Sequence, residues 1–343
     1  MEKRRGEMPW QVLIGLREIY KDKDMKNKFI EYHITTQQEF KDAQDSSLLV
    51  FDTSVLLDLY RGSSELQNAI KRIMQHATDR LFLPYHVGLE FHKNRIKVKR
   101  DTWSNVSNIS RSIASIKQPG KYRKKSVGQE LFNLIAKDIE KIDKKINQFL
   151  KDHQPKTKNS NDAILLFIEN VFDGKVDEPF SEDEIKGFEQ EYVDAISNNE
   201  YVAGRKDVNK NNGNDFGDNI ILQHMIRKSK SVNKDVTFVT SETKDDWFEL
   251  NGKDIVRPTP FIVKYFNKLS NQRLYVYTLS DFIDYMNESY KFDIDSAVVE
   301  EAAALLDSDS SNQSEKISFP NDEEANNNEA SVLDQNDTVN SIP

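Results

Sequence analysis

The sequence predicts an α/β fold with a mostly parallel central sheet, a long helical insertion and an acidic C-terminal tail. Three observations carry that expectation. Short apolar runs recur along the chain, among them SLLVF, RLFLP, VTFVT and RLYVYT, and each has the length of a buried strand. Segments with helical spacing separate them, the alternation that builds parallel sheets. After Leu306 the chain turns to Asp, Ser, Asn and Glu with few apolar residues, the composition of a disordered tail.

Residues 1–46 read as a polar helical extension. WQVLIGLREIY has an apolar face at helical spacing, and TTQQEF opens a second short helix. SLLVFDTS is then a buried strand ending at Asp52, followed by the helical VLLDLYR and a helix from Ser64 to His76. RLFLP is a second strand, stopped by Pro84, and YHVGLEFHKNRIKVKR is a helix. A basic helical insertion occupies about 98–200, broken around KQPGKYRKK. Within it Leu131, Ile135, Ile139, Ile142, Ile146 and Phe149 form a one-sided apolar stripe, which packs within the chain or serves a homodimer. Ser181 and Glu184 have capping-box spacing ahead of EIKGFEQEYVDAI. After the turn-rich AGRKDVNKNNGNDFG, Asp218 opens the helix DNIILQHMIRK. VTFVT, DIV and RLYVYT are the remaining strands, and LSDFIDYM closes a main domain spanning 47–290. The tail occupies 307–343.

Bulk composition narrows the chemistry. The 343 residues contain no cysteine, which excludes disulfides, thiolate zinc sites and cysteine nucleophiles. No apolar run is long enough to span a bilayer, and the basic start lacks an apolar stretch behind it, so a cytoplasmic protein without a membrane partner is expected. The net charge of −9 is concentrated in the tail, where nine acidic residues and one lysine follow Leu306. Residues 91–160 carry eighteen Lys and Arg against six Asp and Glu. Such a segment can hold a polyanion, although a solvated helical face is the commoner explanation for a charge run.

Ligands of parallel sheets collect at the carboxyl ends of the strands. Asp52 ends the first strand, Glu242 follows VTFVT, and Glu90 lies on the helix after the second strand. Asp218 begins a helix, where an Asp can equally be a cap. Asp246 and Asp207 rank lower. Gathered carboxylates repel, and a hard divalent cation removes that penalty. Such an ion also activates water and stabilises the leaving oxygen in phosphodiester hydrolysis. Glu90 alone reads as a helix acid paired with Lys93 or Arg95, and Asp58 as a surface or helix-pairing residue. His86, His92 and His224 lack the clustering of a zinc site. Trp247 reads as core.

FDTSVLLDLYR, LPYHVGLEFHKNR, GNDFGDNIILQHMI and VTFVTSETKDDWF, in that order, resemble the four signature segments of PIN-like proteins, in particular a larger bacterial branch with a helical insertion. The pattern of that branch reads FDTNVLLNLYR, PYxxxxEFHxNR, GDxIxW and TxDxKxDWW. The resemblance implies a three-layer PIN-like fold and a Mg²⁺- or Mn²⁺-dependent nuclease, most often a ribonuclease, some members being toxins or phage-defence effectors. It implies metal-site positions for Asp52, Glu90, Asp218 and Glu242, with Asp246 binding through water or orienting a neighbour. Two departures stand out: Glu242 and Ser241 replace an Asp and an Asn, and Ser54 replaces another Asn. Lys93, Arg95, Lys97, Lys99 and Arg100 are then candidates to hold a nucleic-acid backbone, RNA being favoured. A DNA or flap-type nuclease, or a degenerate module that binds without cutting, are the alternatives.

Overall fold

The computed structural model describes residues 25–117, 127–153, 162–197, 216–244, 246–252 and 254–312. The expected helix at WQVLIGLREIY, the candidate Asp207 and residues 313–343 of the tail lie outside them. A single helical turn at Met25–Lys28 precedes α1 (Gln37–Ser46). Thr36 and Glu39 close a reciprocal capping box at its start. The chain then enters β1 (Leu48–Phe51), all four residues of which are buried.

Next come α2 (Thr53–Arg61), α3 (Ser64–His76), α4 (Tyr85–Ile116), α5 (Val127–His153), α6 (Ala163–Val171), α7 (Glu182–Ser197) and α8 (Gly217–Val232). They lead to β2 (Val236–Thr240), β3 (Phe248–Asn251) and β4 (Asp254–Pro258). Then follow α9 (Pro260–Ser270), β5 (Leu274–Thr278), α10 (Leu279–Tyr290) and α11 (Ser296–Asn312).

The central sheet has the order β1-β2-β5 and is parallel throughout. Val50 pairs with Phe238 and Phe51 with Val239, so neighbours along each strand face opposite sides. Phe238 meets the Trp247 ring at 4.6 Å on one side, and Phe51 meets Phe282 at 6.0 Å on the other. Helices cover both faces, as a parallel sheet with continuously apolar strands requires. Trp247 is 1% exposed and belongs to the core, as its sequence context suggested.

Four elements depart from the sequence reading. RLFLP forms no regular strand; it adds isolated parallel bridges, Leu49 to Leu81 and Leu83 to Val176, beside β1. Pro84 removes a backbone donor directly after Leu83, so the pairing stops there. DIV does not join the central sheet. It forms β4 of a separate antiparallel hairpin with β3, a strand not among the apolar runs marked in the sequence. Asn251-Gly252 was the available signal, since this pair favours the tight hairpin turn, and Gly252 has a φ of 68°. Finally, the fold does not close at α10. Helix α11 buries Val298, Ala302 and Leu306 and extends through Asn312, so the first residues assigned to the tail are helical.

The insertion is dominated by α4, whose 32 residues span roughly 48 Å. Its first turns are core, with Val87 and Phe91 fully covered. Beyond Phe91 neither α4 nor α5 has a buried residue among the described side chains. The two helices run together as an arm, tied by Lys117 to Asp143 at 2.7 Å and Ser110 to Asn147 at 3.3 Å. The expected stripe is only partly covered. Ile135, Ile139 and Ile146 are half-buried, Leu131 and Ile142 are exposed, and the Phe149 side chain lies outside the described ones. The capping box at Ser181 and Glu184 is present.

Candidate metal centre and arm base

The carboxyl ends of β1 and β2 lie side by side, because these strands are hydrogen-bonded neighbours. Asp52 directly follows β1, and its N–H still donates to Val239 at 2.9 Å. It is also the N-cap of α2, where its Oδ1 accepts from the Thr53 N–H at 2.7 Å. Its Oδ2 accepts from the hydroxyls of Ser54 at 2.6 Å and Thr240 at 2.8 Å. The side chain is thus fixed on both oxygens in a buried position. Burial pushes its pKa above the ordinary carboxylate value. The Ser54 and Thr240 hydrogen bonds oppose that rise, the Glu90 charge adds to it, and the Lys244 ammonium works against it.

Glu90 lies one turn and a half into α4. Its Oε2 accepts from the Thr53 hydroxyl at 2.9 Å, and its Oε1 stands 3.4 Å from His86 Nε2. Thr53 and His86 thus stand against its two oxygens, while Arg95, suggested by sequence proximity, reaches Asp162. Successive residues of one short helix start, Thr53 and Ser54, hold Glu90 and Asp52 respectively.

The β2 side supplies the other half. Thr240, the last residue of β2, donates its hydroxyl to Asp52 and accepts from the Glu242 N–H at 3.0 Å. Ser54 Oγ accepts from the Ser241 N–H at 3.0 Å. Lys244 Nζ lies 2.5 Å from Glu242 Oε2 and 3.9 Å from Asp218 Oδ2. Asp218 is inside the first turn of α8; the N-cap position belongs to Phe216, so the capping role considered for Asp218 does not apply. Asp246 is 2% exposed, beside the core residue Trp247.

The structure therefore brings Asp52 and Glu90 together from one side, and Asp218 and Glu242 from the other, with Lys244 among them. Among the described residues, no three His, Asp or Glu side chains stand close enough as placed to hold a metal ion. The donor chemistry nonetheless fits a hard divalent cation. Every donor is a carboxylate oxygen, and there is no competing thiolate. Thr53, Ser54, Thr240 and Lys244 supply the framing, and of these only Ser54 was singled out from the sequence. A signal was available for the other three: Thr53 matches the Thr of the FDTNVLLNLYR-like segment, and Thr240 and Lys244 match the Thr and Lys of the TxDxKxDWW-like one.

The basic candidates divide. Lys93, Lys97 and Arg100 are exposed. Arg95 and Lys99 instead reach Asp162 Oδ2, at 3.2 and 3.4 Å. Asp162 Oδ1 also accepts from the Tyr60 hydroxyl at 3.0 Å and from the Leu165 N–H at 3.1 Å, capping α6. This hub joins the base of the arm to the far end of α2. Asp58, read from sequence as a surface or helix-pairing residue, is the latter: it pairs with Arg61 at 2.8 Å on the same helix and is 1% exposed, because its face of α2 packs inward. His224 is also buried, hydrogen-bonded to Asp177 at 2.7 Å and packed on Phe180, as a structural histidine would be. His92 is exposed.

A family model described as a PIN like domain matches residues 48–261, more than half of the chain. The chain belongs to this family, which lies within a nuclease superfamily whose members generally use divalent metals and bind nucleic acid. No curated protein and no solved structure gives a match. Among the described residues, no helix is long and apolar enough to cross a membrane.

Proposed function

We propose that this protein is a divalent-metal-dependent nuclease, specifically an endoribonuclease that hydrolyses phosphodiester bonds in the cytoplasm. A toxin or phage-defence role goes with that reading. The observation that carries it is the buried carboxylate of Asp52 at the end of a core strand, held on both oxygens and sharing its surroundings with Glu90 and Lys244. A buried acid so arranged is costly unless a cation answers it.

Asp52, Glu90, Asp218 and Glu242 would hold Mg²⁺ or Mn²⁺, with Asp246 in support. When bound, such an ion activates water and neutralises charge on the phosphoryl oxygens. The chain's own residues do the positioning. Thr53 and Ser54 fix Glu90 and Asp52 from the start of α2, and Thr240 fixes Asp52 from β2. The exposed Lys93, Lys97 and Arg100 on α4 are available to a nucleic-acid backbone. Arg95 and Lys99 contribute only by leaving Asp162.

A panel of single-stranded RNA, single-stranded DNA and branched DNA, each with Mn²⁺ or with chelator, tests the polymer. Chelator-sensitive internal cleavage of RNA supports the reading. Preferential cutting of DNA or of the branch would replace it with a DNA or flap-type nuclease. Glu242 and Ser54, which stand where the family pattern has Asp and Asn, favour one further reading: a module that binds RNA without cutting it. RNA retention without cleavage by freshly purified protein would establish that reading instead.

A further inference from the structure

Lys244 is the one cation in direct contact with two of the four candidate metal ligands among the described residues. Its ammonium stands 2.5 Å from Glu242 and 3.9 Å from Asp218, and its charge also reaches Asp52. Its side chain is 17% exposed, so these contacts are shielded from bulk water more than a surface pair would be. Its backbone is held as well: the Lys244 carbonyl accepts from the N–H groups of Trp247 and Phe248, each at 3.1 Å. Trp247 is locked in the core, so the root of the lysine cannot drift while its four-carbon stem can turn.

We infer that Lys244 is the resident counter-cation of this centre, and that a divalent ion must displace its ammonium from Glu242 and Asp218 to enter. This rests on the reading of those carboxylates as metal ligands. Carboxylates gathered without a cation repel one another, and a fixed ammonium relieves that repulsion in the metal-free protein. The same charge opposes an incoming ion, because Lys244 and the ion compete for the same oxygens. Metal affinity is thereby held down until the ammonium moves away, and a phosphate group of the substrate is a natural acceptor for it.

The test is isothermal titration calorimetry of Mn²⁺ into the full chain and its variants. Lys244→Met keeps the length of the stem and removes the charge; Lys244→Arg keeps the charge. The counter-cation role predicts that Lys244→Met binds Mn²⁺ about tenfold or more tightly than wild type, as expected for losing a unit charge ~4 Å from the site. It also predicts that Lys244→Met melts lower than wild type in chelator and recovers in Mn²⁺. Lys244→Arg should stay within about threefold of wild type. A lysine that merely braced the loop would give the opposite sign, with weaker Mn²⁺ binding in Lys244→Met. Unchanged or weaker binding in that variant overturns the inference while leaving the metal site intact. If wild type itself binds no Mn²⁺, both the inference and the metal-site reading fall. Should Lys244→Met not fold without metal, Lys244→Gln carries the same comparison.

Discussion

Asp162→Ala removes the junction between the arm and the body, and its cost follows from the contacts. The substitution deletes the N-cap of α6, worth about 1 kcal/mol. It also strips the Tyr60 hydroxyl of a charged acceptor. Tyr60 is 9% exposed, so the loss of this partner costs about 1.5–2 kcal/mol. The Arg95 and Lys99 pairs add little, because Lys99 is 37% exposed and such pairs contribute under about 1 kcal/mol each. The sum is roughly 3 kcal/mol, equivalent to a Tm decrease of about 6–12 °C for a domain of this size. Thermal unfolding followed by circular dichroism reads it directly. Tyr60→Phe should recover part of the loss when combined with Asp162→Ala, since the orphaned hydroxyl is gone. A decrease under about 1 kcal/mol, or strict additivity with Tyr60→Phe, would refute the hub as the mount of the arm.

Other outcomes follow from the same contacts. Asp52→Asn should leave the Tm in chelator equal to or above that of wild type, because burial raises the Asp52 pKa and its charge penalises the fold above that raised value. The variant should also lose any Tm increase that Mn²⁺ gives wild type; a marked decrease in chelator would contradict the electrostatics. Asp162 and Asp177 behave oppositely. Burial opposes their ionisation, but hydrogen bonds from Leu165 and Tyr60, and from His224 and Arg227, outweigh it and hold both below the usual 3.8. Their contribution is complete above that value and is lost as pH falls through their lower folded values. Asp177→Asn should therefore show a shallower stability loss below about pH 4 than wild type in acid titrations. On the arm, replacing Lys93, Lys97 and Arg100 together by Gln should weaken RNA binding and reduce the slope of log affinity against log salt by about 2–3, with little change in Tm. An unchanged salt slope would remove these residues from the RNA path.

Much of this arrangement was legible in the sequence where local pattern and chain order carry it. β1, β2 and β5 were legible as apolar runs of strand length, and so was the placement of Asp52 and Glu242 just past two of them. Long-range pairing was not. Asp162 meets Tyr60 across 102 positions, and neither residue has a local signature. Arg95 and Lys99 looked available because charge counts do not show a buried acid opposite them. The pairing of Asp58 within its helix was legible, but its burial was not, because α2 is covered nearly all round. Lys244 matches the Lys of the TxDxKxDWW-like segment, but only folding brings Asp218 beside it.

Asp52 and its neighbours, in the reading proposed above, form a metal-dependent centre for cutting phosphodiester bonds. Mn²⁺-dependent cleavage of single-stranded RNA by wild type and by Asp52→Asn, each with a chelator control, tests it most directly. Wild type should cleave internally, chelator should abolish that cleavage, and Asp52→Asn should lower it by at least about a hundredfold while remaining folded. Equal cleavage by both proteins, or cleavage that persists in chelator, would contradict it.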